Sequence, residues 1–76
     1  MNKLILPELG EGITKAMIAG WHKNPGEAVK RDEDMVEVAT DKAIFNIASP
    51  CDGVLNEIRF KEGQEVQIGE VLAFIK

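Results

Sequence analysis

One cysteine, one histidine, one serine and no tyrosine leave this chain of 76 residues with little of what catalytic or metal-binding domains are built from. Cys51 has no second cysteine to pair with, so no internal disulfide can staple the fold, and a lone thiol suits a reducing compartment. His22 and Cys51 are too few for a structural zinc site. A nucleophilic triad would have to combine Ser49 or Cys51 with His22. Cys51 sits in a Pro-Cys-Asp-Gly turn and His22 follows Trp21 at a strand end, with nothing in the spacing to join them, so no catalytic residue is assigned. No apolar run approaches the roughly eighteen residues of a spanning helix, and Met1-Asn2-Lys3-Leu4 enters a strand-like run without a signal region. Basic residues are also in deficit: 9 Lys and Arg against 13 Asp and Glu give a formal charge of −4. That balance disfavours nucleic acid or an anionic membrane as partner, because phosphate binding needs clustered cations. The chain reads as cytoplasmic or matrix-like.

What is present is ordinary globular material, 45% apolar and 29% charged, enough for one small domain over residues 1–76. A chain this short buries only about 60% of the surface its unfolded form exposes, so its packing has to be efficient.

Periodicity is two-residue throughout, with turns every eight residues or so. Lys3-Leu4-Ile5-Leu6-Pro7 reads as a short strand ended by proline, and Glu8 to Lys15, with two glycines among charges, reads as a surface loop. Ala16 to Lys23 alternates as a strand, and Asn24-Pro25-Gly26-Glu27 is a strong turn. Ala28-Val29 is a brief extended link before the charged turn Lys30 to Asp34. Ser49 to Gly53 is another turn, and Val54 to Phe60 a strand with Val54, Ile58 and Phe60 on one face and Glu57 and Arg59 on the other. Val66, Ile68 and Val71 to Ile75 complete an all-β chain. Trp21, the only tryptophan, reads as a core anchor with its indole N–H at the rim.

At the centre, Glu37-Val38-Ala39-Thr40-Asp41-Lys42-Ala43-Ile44-Phe45-Asn46 joins two alternating runs at a tight polar junction. With Asp41 and Lys42 as the central turn residues, Thr40 faces Ala43, Val38 faces Phe45 and Val36 faces Ile47 on one face of the hairpin. Met35, Glu37, Ala39, Ile44, Asn46 and Ala48 fall on the other. This register lifts Lys42 to the tip. Two-residue hairpin turns favour Asn-Gly or Asp-Gly, and Asp-Lys lacks that glycine, which leaves the turn type open.

Sliding the chain by 37 residues sets Gly26 on Gly63, Val29 on Val66 and Glu33 on Glu70, with Trp21 on Ile58, Met35 on Leu72 and Val38 on Ile75 as apolar matches. Turn positions and apolar positions recur together, which implies two similar four-strand halves packed face to face as a flattened sandwich or barrel around one core.

Other motifs fail on inspection. Gly10-Glu11-Gly12 begins like a dinucleotide-binding fingerprint, but position 15 is Lys15 and the strand and helix context is missing. Asp32-Glu33-Asp34 starts like a calcium loop, but Glu37 stands at its sixth position where glycine is required. Lys42 remains, exposed on a flexible stem at a protruding tip. It is either a plain solvated turn residue or an anchor on which an enzyme installs a group through an amide bond.

The stretches Leu9-Gly10-Glu11-Gly12-Ile13, Glu37 to Ala43 around Asp41-Lys42-Ala43, and Ser49-Pro50-Cys51-Asp52-Gly53-Val54 closely resemble the lipoyl domains of the acyltransferase (E2) component of 2-oxo acid dehydrogenase complexes. The resemblance covers nearly the whole chain. It implies a flattened eight-stranded β-barrel, two four-stranded sheets with pseudo-two-fold symmetry, and a lysine at a hairpin tip. It makes Lys42 the lipoyl attachment site, carrying lipoate as N6-lipoyl-lysine. Asp41 and Ala43 become the flanks that lipoylating and partner enzymes recognise, with Glu11, Ile13 and Gly53 as further recognition candidates. The implied role is carriage, not catalysis. The arm would take an acyl group at a thiamine-diphosphate decarboxylase (E1), pass it to the acyltransferase core and coenzyme A, and be reoxidised by dihydrolipoamide dehydrogenase (E3). A lipoate ligase or lipoyl transferase would load it, and the isolated domain is expected to be monomeric. The Gly-Glu-Gly loop leans toward pyruvate or branched-chain complexes over 2-oxoglutarate. Because Ile75-Lys76 ends without linker, subunit-binding or catalytic segments, the chain reads as either a domain excised from a longer acyltransferase, which the resemblance favours, or a complete small protein. A biotinyl carrier of the same fold is disfavoured because that family flanks its lysine with methionines, and an unmodified module of the same fold is the remaining alternative.

Overall fold

The alternating runs become eight strands in a computed structural model that describes all residues, Met1–Lys76. In chain order these are β1 (Asn2–Ile5), β2 (Lys15–Trp21), β3 (Ala28–Val29), β4 (Asp34–Ala39), β5 (Ile44–Ala48), β6 (Gly53–Ile58), β7 (Glu65–Gln67) and β8 (Val71–Ile75). They form two antiparallel sheets of four strands, ordered β1-β8-β6-β3 and β5-β4-β2-β7. The body is elongated, 32 × 20 × 17 Å, with the two sheets closed on one core. Leu4, Ile18, Val38, Leu55, Val66 and Ile75 meet in that core, contributed by both sheets.

The internal repeat is real at the level of the backbone. Between β2 and β4 the register jumps from Ile18↔Val38 to Gly20↔Glu37, and between β6 and β8 from Leu55↔Ile75 to Glu57↔Phe74, the same step 37 residues on. A second pair of bulges falls where Asp34 and Val36 face Ala48 and Ile47, and where Val71 and Ala73 face Ile5 and Leu4. The turns repeat with their side chains. The N–H of Asn24 donates to Glu27 Oε1 at 2.7 Å, as that of Lys61 does to Gln64 Oε1 at 2.6 Å. The N–H of Lys30 donates to Glu33 Oε1 at 3.0 Å, as that of Gln67 does to Glu70 Oε2 at 2.9 Å. Each turn is closed by a carboxylate or amide three residues on, which is why Glu33 and Glu70 match.

The halves are not, however, packed sheet against sheet as the repeat alone implies. Each sheet takes two strands from each half, so the halves interlock. The cause lies in the turns, whose backbone groups bond across halves. Gly26 N–H donates to Leu55 C=O at 2.7 Å, and Gly63 N–H to Ile18 C=O at 2.8 Å.

The bulges also correct two face assignments. Strict alternation sets Met35 on the wet face with Glu37, but the extra residue at the β4 bulge resets the phase, and Met35 and Val36 are both fully buried. Val54 to Phe60 does not start with Val54 inward. Val54 is 41% exposed and Leu55 fully buried, and the bulge at Asn56 then returns Ile58 to the core side. The hairpin register holds as expected, with Val36 opposite Ile47 and Val38 opposite Phe45. Trp21 packs against the core edge and donates its indole N–H to Phe60 C=O at 2.9 Å.

Candidate functional site

The β4–β5 hairpin ends in Thr40-Asp41-Lys42-Ala43, and its closure needs no glycine. Neither Asp41 nor Lys42 has a positive φ, which excludes the mirror-image turns that Asn-Gly supplies. Thr40 does the work instead. Its N–H donates to Ala43 C=O at 2.8 Å. Its hydroxyl oxygen accepts from the N–H of Lys42 at 3.1 Å and of Ala43 at 3.0 Å, and its hydroxyl donates to Ala43 C=O at 3.0 Å. A hydroxyl thereby takes the amides that a glycine-bearing turn would satisfy through backbone carbonyls. Thr40 is the site residue that sequence reasoning passed over, although a threonine just before the two tip residues is the signal for such a turn.

Asp41, Lys42 and Ala43 are all exposed, and Lys42 enters none of the ion pairs of the structure. The loop between β1 and β2 lies alongside. Gly12, at φ +80°, leaves the space where a Cβ would sit 3.7 Å from Lys42 Nζ. Gly12, Ile13 and Thr14 share a shallow groove with Ala39, Thr40 and Asp41. The loop is held there by Ile13 N–H to Gly10 C=O at 3.2 Å and Ile68 N–H to Thr14 C=O at 3.0 Å, with Leu9 packed on the core. Ile13 is half-buried, and Glu11 is exposed and makes no ion pair with Lys42.

Gly53 belongs elsewhere. It pairs with Val29, and a Cβ there would come 2.5 Å from the carbonyl oxygen of Lys76. The pseudo-two-fold exchanges the hairpin tip with the two chain ends, since Ala39 and Met17 correspond to Lys76 and Val54. Gly53 thus sits at the end exchanged with Lys42, and close packing accounts for its glycine.

Ser49 and His22 of the rejected triad bond to other partners. Ser49, buried, donates its hydroxyl to Cys51 C=O at 2.7 Å, while His22 Nε2 lies 3.0 Å from Asn46 Oδ1. Glu33 is the one carboxylate clearly held below its ordinary range, by its bond with Lys23 Nζ at 3.0 Å and the N–H of Lys30. It closes a turn and has no part in the tip.

What the tip can do chemically is present one unpaired primary amine on a protruding, backbone-fixed corner. An acyl group joined to Nζ would meet no charge partner to displace.

Known proteins agree with this geometry. Residues 2–75 match the family described as "Biotin-requiring enzyme", which covers biotinyl and lipoyl attachment domains. The succinyltransferase component of the 2-oxoglutarate dehydrogenase complex of Rickettsia conorii is 42% identical over 73 residues, 96% of this chain. The corresponding protein of Escherichia coli is 37% identical over 73 residues. The chain spans about 18% of the length of these curated relatives. The solution structure of the lipoyl domain of the Azotobacter vinelandii 2-oxoglutarate dehydrogenase complex superposes with a TM-score of 0.79 at 41% identity, covering 100% of this chain and 96% of that one. That of the Escherichia coli succinyltransferase gives 0.75 at 38% identity, covering 93% and 89%. With an eight-stranded interlocked sandwich, a free lysine at its hairpin tip and these likenesses over nearly its full length, the chain belongs to the biotinyl/lipoyl attachment family, among its lipoyl domains.

Proposed function

We propose that Lys42 carries lipoate in amide linkage, and that residues 1–76 are a single carrier domain of the succinyltransferase component of a 2-oxoglutarate dehydrogenase complex. The observation that carries this is the exposed Lys42 amine, free of ion pairs and raised on a corner that Thr40 fixes. Asp41 and Ala43 flank it, where a biotinyl domain would offer methionines. For loading, Lys42 Nζ gives up one proton to become the neutral amine and forms a C–N bond to the carbonyl carbon of an enzyme-bound lipoyl adenylate. The carbon–oxygen bond to the phosphate breaks, AMP leaves, and the nitrogen loses a second proton as the amide forms. One positive charge disappears, taking the formal charge from −4 to −5.

Once attached, lipoate supplies a dithiolane that exchanges an acyl group and an electron pair with partner active sites. The domain contributes position. The Lys42 stem keeps the arm on a corner clear of the sheets, and tethering makes each encounter with a decarboxylase, an acyltransferase core and dihydrolipoamide dehydrogenase effectively intramolecular. Lipoate ligase or lipoyl transferase is the loading partner, and the domain is a monomer. The bacterial relatives support the cytoplasm over the mitochondrial matrix.

The relatives named above support 2-oxoglutarate as the substrate complex, in place of the pyruvate or branched-chain complexes toward which the Gly10-Glu11-Gly12 loop leans. The backbone explains why that loop is a poor guide. Gly10 at φ +151° and Gly12 at φ +80° both hold backbone conformations that favour glycine, so both glycines serve the loop's own shape. The test is reductive acylation of the lipoylated domain by purified 2-oxoglutarate, pyruvate and branched-chain decarboxylases. The 2-oxoglutarate enzyme is expected to give the highest kcat/KM, and preference for either other enzyme overturns the assignment.

A further inference from the structure

Lys42 makes a single hydrogen bond, its N–H donating to Thr40 Oγ1 at 3.1 Å. Its carbonyl and its amine have no partner in the chain, and Asp41 beside it makes neither a hydrogen bond nor an ion pair. Between the strand ends, therefore, one side-chain oxygen holds the residue that bears the amine. The same hydroxyl accepts the Ala43 N–H and donates to Ala43 C=O, both at 3.0 Å, and only one bond of the corner, Thr40 N–H to Ala43 C=O, is backbone to backbone. The reason lies in the turn. With no positive φ at Asp41 or Lys42, it lacks the twist by which mirror-image turns continue into paired strands, and the threonine side chain makes up the closure.

Resting on the reading of Lys42 as the lipoylated residue, we infer that Thr40 is the positioning residue for attachment, holding the Lys42 backbone so that Nζ reaches the acyl carbon in the attaching enzyme. In that step Nζ gives up a proton and bonds the carbonyl carbon of the lipoyl adenylate. The carbon–oxygen bond to phosphate breaks, AMP leaves, and the nitrogen loses a second proton. The domain supplies none of this chemistry, only the place where the C–N bond forms, and misplacing a reacting atom costs rate steeply. The stem of Lys42 is flexible, so its backbone is the part that the fold can fix. Thr40 fixes it.

Two other roles for Thr40 predict different kinetics. A hydroxyl that the enzyme reads directly would act on KM. A hydroxyl needed only for folding would act in step with stability, although its bonds lie on an exposed corner and Thr40 is no member of the buried core.

The experiment is the rate of lipoyl addition by a lipoate ligase with lipoate and ATP, read by intact mass over a range of domain concentrations. Thr40→Val keeps the β-branched shape without the hydroxyl, and is expected to lower kcat about tenfold with KM within about twofold of wild type. Thr40→Ser keeps the oxygen and is expected to hold kcat within about twofold of wild type. Gly26→Ala strains a turn away from the tip, where φ is +95°, and is the stability control, with a wild-type kcat expected. Acetylation of Lys42 by acetic anhydride, followed by peptide mass, is expected to proceed alike in wild type and Thr40→Val, because a diffusing reagent needs no positioned amine. A wild-type kcat in Thr40→Val overturns the inference. So does a loss that serine fails to restore, a loss confined to KM, an equal loss in Gly26→Ala, or an anhydride rate that falls with the enzymatic one. No addition to the wild-type chain is a separate result, which strikes down lipoylation at Lys42 and this role of Thr40 with it.

Discussion

Thr40 holds Lys42 in place through a single oxygen: its hydroxyl accepts the Lys42 N–H at 3.1 Å and the Ala43 N–H at 3.0 Å. Thr40→Ala leaves two tip amides without their acceptor. Because the tip is exposed and water can substitute, the loss of stability should be about 1 kcal/mol, with Thr40→Ser nearly neutral. Hydrogen exchange at Lys42 and Ala43 should accelerate in Thr40→Ala and not in Thr40→Ser. Unchanged exchange in Thr40→Ala would mean that the hydroxyl does not shape the corner.

Asp32 is the only non-glycine residue with positive φ, +70°, and the internal repeat sets it on Gly69, whose φ is +93°. Asp32→Gly should therefore stabilise the domain by about 0.5 kcal/mol, the left-handed strain relieved less the entropy that glycine adds to the unfolded chain. Gly69→Ala should destabilise it. Chemical denaturation of both variants checks the pair.

At Gly53 the demand is steric. A Cβ would meet Lys76 O at 2.5 Å and Ile75 Cγ2 at 2.7 Å. Gly53→Ala should cost about 1–3 kcal/mol through strain at the β6–β8 junction. Ligase KM for that variant, assayed where it is folded, should match wild type, since Gly53 lies away from the tip.

The Lys23 ion pair and the Lys30 N–H hold the Glu33 carboxyl below its ordinary range in the fold. A carboxyl with a depressed folded pKa stabilises the native state above its unfolded pKa, near 4.5, and that contribution is lost as pH falls through the folded value. Glu33→Gln should thus lower the melting temperature at neutral pH and show a shallower decline on acidification than wild type. Identical acid limbs in the two proteins would contradict the assignment.

Strand existence, turn positions and the hairpin register were legible in the sequence because two-residue alternation and glycine-bearing turns carry them. Side-chain phase was not legible at Met35 and Leu55. A bulge adds one residue and turns the alternation over, and no residue type at Ala19, Met35, Asn56 or Leu72 marks it. The repeat could have: Leu55 lies on buried Ile18, and Val54 on exposed Met17, at the same spacing of 37. For the same reason Leu55→Ala should cost about 2–5 kcal/mol and Val54→Ala less than about 0.5. In the site, the place of Lys42 at an exposed hairpin tip was legible from the register, while its proposed role rests on the resemblance. The approach of Lys42 Nζ to the β1–β2 loop at Gly12 was not legible, because it joins a loop and a hairpin that only the closed fold brings together.

Lipoyl attachment at Lys42 is the claim on which the rest depends. Intact mass of the purified chain after treatment with lipoate, ATP and a lipoate ligase tests it directly, beside Lys42→Ala with its fold verified by circular dichroism. One lipoyl group on wild type and none on Lys42→Ala is the expected result. An unmodified wild-type chain, or undiminished addition to Lys42→Ala, would contradict it.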